Sequence, residues 1–171
     1  MKVLVKIKNI LDSISKILGA IGAVLVVLLA LLIFYNVLSR YLFSSSLIAL
    51  QELEWHIFSI IFMLGFGYTM FYDAHVRVDV FYEKFSLKVK SLINIFGVLL
   101  FVIPFSIVII YTSIEPVIYA YEIAEGSADP GGLPYRFLIK SLVLVAFFFL
   151  ILSSIGFMIE NIFNLVKNKE S

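Results

Sequence analysis

Four long apolar runs separated by short polar stretches set the plan of this 171-residue chain. The clearest runs from Ile57 to Tyr72, with Arg40, Glu52, Glu54 and His56 before it and Asp73, His75, Arg77 and Asp79 after it. An ionised side chain costs about 2.5–3.5 kcal/mol at a bilayer centre, so these groups belong at the two water interfaces and the run between them crosses the hydrocarbon. The same pattern predicts spans over residues 17–38, 53–72, 92–114 and 137–159, each long enough for a core of about 30 Å at about 1.5 Å per residue. The expected fold is an all-α integral membrane protein: one domain over residues 1–171, four transmembrane helices, and amphipathic interfacial helices beside them.

The segments between the spans carry their own signals. In residues 1–16, Val3, Leu4, Ile7, Ile10, Leu11 and Ile14 share one side of a helical wheel and lysines occupy much of the rest. Such a segment lies in the headgroup plane with its lysines toward anionic membrane lipid, or serves as a lysine-rich lead-in that fixes orientation. A secretory signal would have an apolar region of about 7–15 residues, and the run from Ile17 to Leu38 is longer, so the first span is expected to stay as an anchor. Gly19, Gly22 and Ala23 form a small-residue patch that another helix could approach closely. After Ser44 to Ser46, LIALQELEW reads as a short interfacial helix with Trp55 at headgroup depth.

Beyond Tyr72, the alternation from His75 to Val80 resembles a strand, but a lone strand has no partner for its backbone. A turn leading into an amphipathic helix is expected, with Ser86 capping the third span. Pro104 should kink that span, and Pro116 marks either a second kink or the first turn of a short helix, EPVIYAYEIAE. SADPGGLPYR must be a tight turn or loop, with Pro134 in the first turn of the fourth span and Lys140 snorkelling outward from it.

Charge fixes an expected orientation. Of thirteen Lys and Arg, one face collects Lys2, Lys6, Lys8, Lys16, Arg77, Lys84, Lys88, Lys90, Lys167 and Lys169, and the other has Arg40, Arg136 and Lys140. Basic residues favour the cytoplasm, so both termini and the middle loop are expected there. A composition of 62% hydrophobic residues and a mean hydropathy of +1.07 make bilayer the solvent. The net charge of +1 gives no case for nucleic acid, and the absence of cysteine excludes disulfides and thiol chemistry.

Two charged constellations remain as candidate sites. At the outer mouth are Arg40, Glu52, Glu54, Trp55 and His56, joined by Asp129 and Arg136 of the last loop; Glu54 could pair with Arg40 across the hairpin or with a second chain. At the inner mouth are Asp73, His75, Arg77 and Asp79. Both sets read as interface anchors or as docking points for a partner. His56 and His75 fall at opposite faces, which leaves no metal-ligating cluster. The span middles offer mainly Ser59, Tyr68, Ser106, Ser153 and Ser154, residues that usually bond their own helix, so no cofactor and no catalytic group is expected.

NVLSRYLF at the end of the first span, QELEW before the second, and MLGFGYTMFYDAHVRVDVF through its end keep the order and spacing of a known family. On these residues the chain resembles the small membrane subunit of tripartite ATP-independent periplasmic (TRAP) transporters, the DctQ-like family. The resemblance implies a bacterial inner-membrane scaffold that holds a large multi-span subunit. That subunit binds substrate and sodium and moves, a periplasmic binding protein delivers the substrate, and carboxylates are the typical cargo. Arg40, Glu54, His75, Arg77 and Asp79 match the family pattern; no catalytic residue is implied. A four-helix cytochrome b would need His pairs within spans, and a small multidrug exporter an acid deep in the first; neither is present. The remaining alternative is a non-transporting accessory or assembly protein of another complex.

Overall fold

Apolar runs in lipid become helix because a backbone in hydrocarbon must satisfy its own N–H and C=O groups. The computed structural model of the chain describes residues 2–44, 46–73 and 82–167. It contains four helices long and apolar enough to cross a membrane: α1 Lys2–Phe43, α2 Ile48–Phe71, α3 Leu87–Glu122 and α4 Phe137–Lys167. Among the described residues there is no strand.

The helices are longer than the spans expected from hydropathy. Residues 2–16 continue into the first span without a break, since no Gly or Pro interrupts the run before Gly19. The resulting 42 residues reach about 63 Å, roughly twice a hydrocarbon core. LIALQELEW likewise forms the start of α2 rather than a separate interfacial helix. α2 ends where expected, with Tyr72 as its C-cap and Asp73 in the left-handed region at φ 55°, a conformation that Asp tolerates. The expected turn and amphipathic lead-in fall largely within residues 74–81, outside the described residues.

Ser86 caps α3 as its position predicts, its Oγ accepting from the Val89 N–H at 3.4 Å. Pro104 is accommodated by a π-helical turn over Val98–Val102, in which the Ile103 N–H reaches back to the Val98 carbonyl. The ladder is thus offset just before the residue that cannot donate. Pro116 lies inside the same helix, which runs on to Glu122, so EPVIYAYEIAE is not a separate element. Pro134 stands ahead of α4 rather than in its first turn, because Tyr135 takes a left-handed φ of 62° before the helix begins at Phe137.

α4 is the helix around which the others pack. In its most apolar stretch 39% of residues are buried, against 6%, 6% and 11% for α1, α2 and α3. It contacts all three neighbours, and α1 also packs along α2. Phe147 of α4 meets Phe66 of α2 and Phe105 of α3 edge-on, with centroids 5.7 and 5.9 Å away, and joins Met70, Val98 and Leu150 in the core.

Small residues set how closely the helices approach, as expected where lipid supplies no hydrophobic drive between them. A Cβ on Gly67 of α2 would stand 2.9 Å from Ser153 Oγ, one on Gly156 of α4 would stand 3.3 Å from Leu11 Cβ, and the Tyr68 ring fills the notch at Gly19. Ser59 and Ser106 donate to the carbonyls of Trp55 and Val102 in their own helices, as anticipated. Ser153 instead shares a buried 2.8 Å hydrogen bond with Ser15 of α1. Ser154 is fully buried and its Oγ has no hydrogen-bond partner among the described residues. Ser154→Ala is therefore expected to leave stability unchanged or raise it by up to about 1 kcal/mol, since an unmatched hydroxyl leaves the core. Thermal unfolding in detergent checks this, and a clear destabilisation would mean that the hydroxyl has a partner.

Candidate partner-binding surface and its two polar ends

At the end of the bundle holding the α1–α2 and α3–α4 connections, Glu52 fixes the longer loop. Its Oε2 accepts from the Leu133 N–H at 2.6 Å, and its Oε1 accepts from the Ser127 hydroxyl. The loop is folded on itself: the Ser127 N–H donates to the Leu133 carbonyl at 3.0 Å, Gly132 to Asp129 at 3.0 Å, and Arg136 to Glu125 at 2.8 Å. This path needs left-handed residues at Ala124 and Gly131, with φ of 48° and 82°. Glycine takes that conformation without steric cost. Lys140 reaches the loop and pairs with Glu125, so its ammonium finds a carboxylate rather than only the interface.

The other predicted residues of this end separate. Glu54 Oε1 accepts from Asn36 Nδ2 at 2.9 Å, and Asn36 is only 2% exposed. The cross-hairpin partner of Glu54 is thus Asn36 and not Arg40, which is exposed one turn further along α1. Trp55 is 69% exposed and points away from the bundle. His56 lines an open apolar groove of about 390 Å³ with Leu53, Ile60, Leu133, Pro134 and Tyr135, between α2 and the start of α4. Asp129 is exposed; its backbone, not its carboxylate, takes part in the turn, through the bonds to Ser127 Oγ and from Gly132. Arg136 is half-buried at the foot of the loop.

At the opposite end, where α1 begins and α4 ends, a polar network appears that the sequence reading missed. Lys8 of α1 pairs with Asp12 at 2.6 Å and with Glu160 of α4 at 3.4 Å. Asn94 of α3 donates to Asn161 of α4 at 3.0 Å, Tyr82 donates to Asn94 at 3.1 Å, and Asn161 also donates to the Phe157 carbonyl. Together these bonds tie α1 and α3 to α4, with Asp73 and Asn164 completing the wall of a cleft of about 340 Å³. The available signal was an asparagine near the start of α3 and another near the end of α4; their distance apart in the chain concealed the pairing. His75, Arg77 and Asp79 lie outside the described residues.

The arrangement offers polar contacts at both ends, apolar helix faces between them, and among the described residues no group of three or more His, Cys, Asp or Glu placed to hold a metal. A comparison with protein families matches residues 29–167 to the family described as tripartite ATP-independent periplasmic transporters, DctQ component. A search of curated proteins finds no match. The matched region takes in most of the chain, including the NVLSRYLF and QELEW segments and all of α2, α3 and α4. The chain therefore belongs to the DctQ family, the small membrane component of TRAP transporters.

Proposed function

We propose that this chain is the static scaffold of a carboxylate importer. In this reading a large membrane subunit binds substrate and the coupling ion, sodium being the expected one, and a periplasmic binding protein delivers the cargo. The observation that carries it is the distribution of polar groups. From Leu18 to Tyr35 the first span has no polar side chain but the Tyr35 phenol, and among the described residues the charged and amide pairs lie toward the helix ends, the buried Ser15–Ser153 hydroxyl pair standing apart from them. A transporting subunit would need ligands at mid-depth. The exposed apolar faces of α1, α2 and α3 suit a large subunit on one side and lipid on the other.

The lysine distribution favours an inner-membrane orientation with both termini in the cytoplasm. Arg40, Glu52, Glu54, Trp55, Asp129 and Arg136 then serve the periplasmic end, near the docking site of the binding protein, and His75, Arg77 and Asp79 the cytoplasmic end. The chain itself does no covalent chemistry in this scheme and needs no cofactor. Expression of a tagged chain with its neighbouring genes, followed by gentle solubilisation, is expected to yield a multi-span partner at one-to-one stoichiometry. Vesicles holding both subunits should take up a labelled carboxylate when the binding protein and a sodium gradient are supplied. A well-folded lone monomer or homo-oligomer would overturn the scaffold reading and favour an accessory protein of another complex.

A further inference from the structure

Among the described residues, Glu54 is a partly buried carboxylate on the membrane-spanning part of α2 with no counter-charge. Glu52 is satisfied by the loop and Glu125 by Lys140, whereas Glu54 has the Asn36 amide but no cation among the described residues. The buried Asn36 also keeps an Oδ1 with no hydrogen-bond partner among the described residues. Glu54 sits six residues into α2, about 9 Å along the helix from Ile48, and the adjacent exposed Trp55 is a residue of the headgroup boundary. At that boundary the carboxylate is within reach of a basic side chain that snorkels outward from a neighbouring span.

The surroundings of Glu54 have the form of a seat. An open recess of about 230 Å³ is lined by Leu29 and Ile33 of α1 and by Trp55 and Phe58 of α2, with Glu54 its only charged wall. Below it, α1 presents Gly22, Val26, Leu29 and Ile33 at the alternating four- and three-residue spacing of a helix-packing seam. Gly22 has open space where Gly19 is filled by Tyr68, so a backbone can approach there. On α2, Trp55, Phe58 and Phe62 form the facing exposed stripe, with the two phenylalanine rings stacked.

We propose that the groove between α1 and α2 seats a transmembrane helix of the large membrane subunit, and that an arginine or lysine of that helix reaches the Glu54 carboxylate. The inference rests on the scaffold reading above, and adds where the partner binds and which residue type it brings. A basic side chain matches the recess in both respects: its aliphatic stem lies against Leu29, Ile33 and Phe58, and its charged end meets the carboxylate. A lipid ammonium would meet the charge but leaves the Gly22 notch and the two stripes without a rigid partner.

The test uses the full chain co-expressed with the large subunit. Glu54→Gln is expected to lower recovery of the large subunit at least tenfold, with the thermal unfolding of the isolated chain unchanged. Gly22→Leu, which fills the notch without meeting any atom of this chain at its Cβ, should weaken recovery in the same way. A photo-crosslinking residue at Ile33 should capture the large subunit, and one at Phe101 of α3 should not. Unaltered recovery with Glu54→Gln, or crosslinks from Ile33 only to lipid or to a second copy of this chain, would overturn the proposal while leaving the scaffold reading intact. Failure of the wild-type chain to recover any large subunit would overturn both.

Discussion

Gly67→Leu should destabilise the bundle by about 3 kcal/mol, equivalent to a fall of roughly 6–12 °C in melting temperature for a chain of this size. Gly67 lies in the buried seam between α2 and α4, where even a Cβ would stand 2.9 Å from Ser153 Oγ and 3.4 Å from the Phe149 carbonyl. The first of these neighbours is a short side chain and the second is helix backbone, so neither can swing aside as a long side chain would. The cost extends beyond the clash: displacing Ser153 also breaks its 2.8 Å bond to Ser15, which ties α1 to the same point. Gly67→Ala should show a smaller loss, about 1–2 kcal/mol. Gly65 is the matched control, because nothing lies within 4 Å of its Cβ position, and Gly65→Ala should be neutral or slightly stabilising through the better helix propensity of alanine. Equal effects at the two glycines, measured by thermal unfolding in one detergent, would refute close α2–α4 approach at Gly67.

Glu52→Ala is expected to release the α3–α4 loop. Two bonds to the carboxylate are lost, from the Leu133 N–H and the Ser127 hydroxyl. The loop keeps its internal bonds from Ser127 to Leu133, Gly132 to Asp129 and Arg136 to Glu125, so a local loosening is expected rather than its unfolding. Amide exchange at Ser127, Gly132 and Leu133 should accelerate, that of Leu133 most, because its N–H loses its acceptor. The exchange of α4 amides deep in the bundle should hardly change. Asp129→Ala serves as the control; its exposed carboxylate takes no part in the turn, and the effect should stay within about 0.5 kcal/mol. Unchanged exchange in Glu52→Ala would mean that the loop holds its shape without α2.

The number of helices long and apolar enough to span a membrane was legible in the sequence. Insertion into a bilayer is a local property: about twenty apolar residues meet the requirement wherever they occur, and flanking charge marks the ends. Ser86 as a cap and the family motifs were equally readable, because each resides in a short contiguous stretch. Helix length was less legible. Residues 2–16 and 48–52 extend the spans because no breaker separates them, whereas polarity alone suggested a boundary.

Only the tertiary structure decided which helix is central and which polar groups meet. All four runs are apolar on every side, so no hydrophobic stripe distinguishes the face toward α4 from the face toward lipid. The choice is made by small residues and hydrogen bonds far apart in the chain: Gly67 against Ser153, Ser15 with Ser153, Asn94 with Asn161, Lys8 with Glu160. The partner of Glu54 could not be read for the same reason, since Asn36 and Arg40 lie one turn apart on α1 and only the crossing of α1 and α2 selects between them. Sequence determines what enters the membrane because that depends on local transfer free energy; structure determines which faces meet because in lipid that depends on fit.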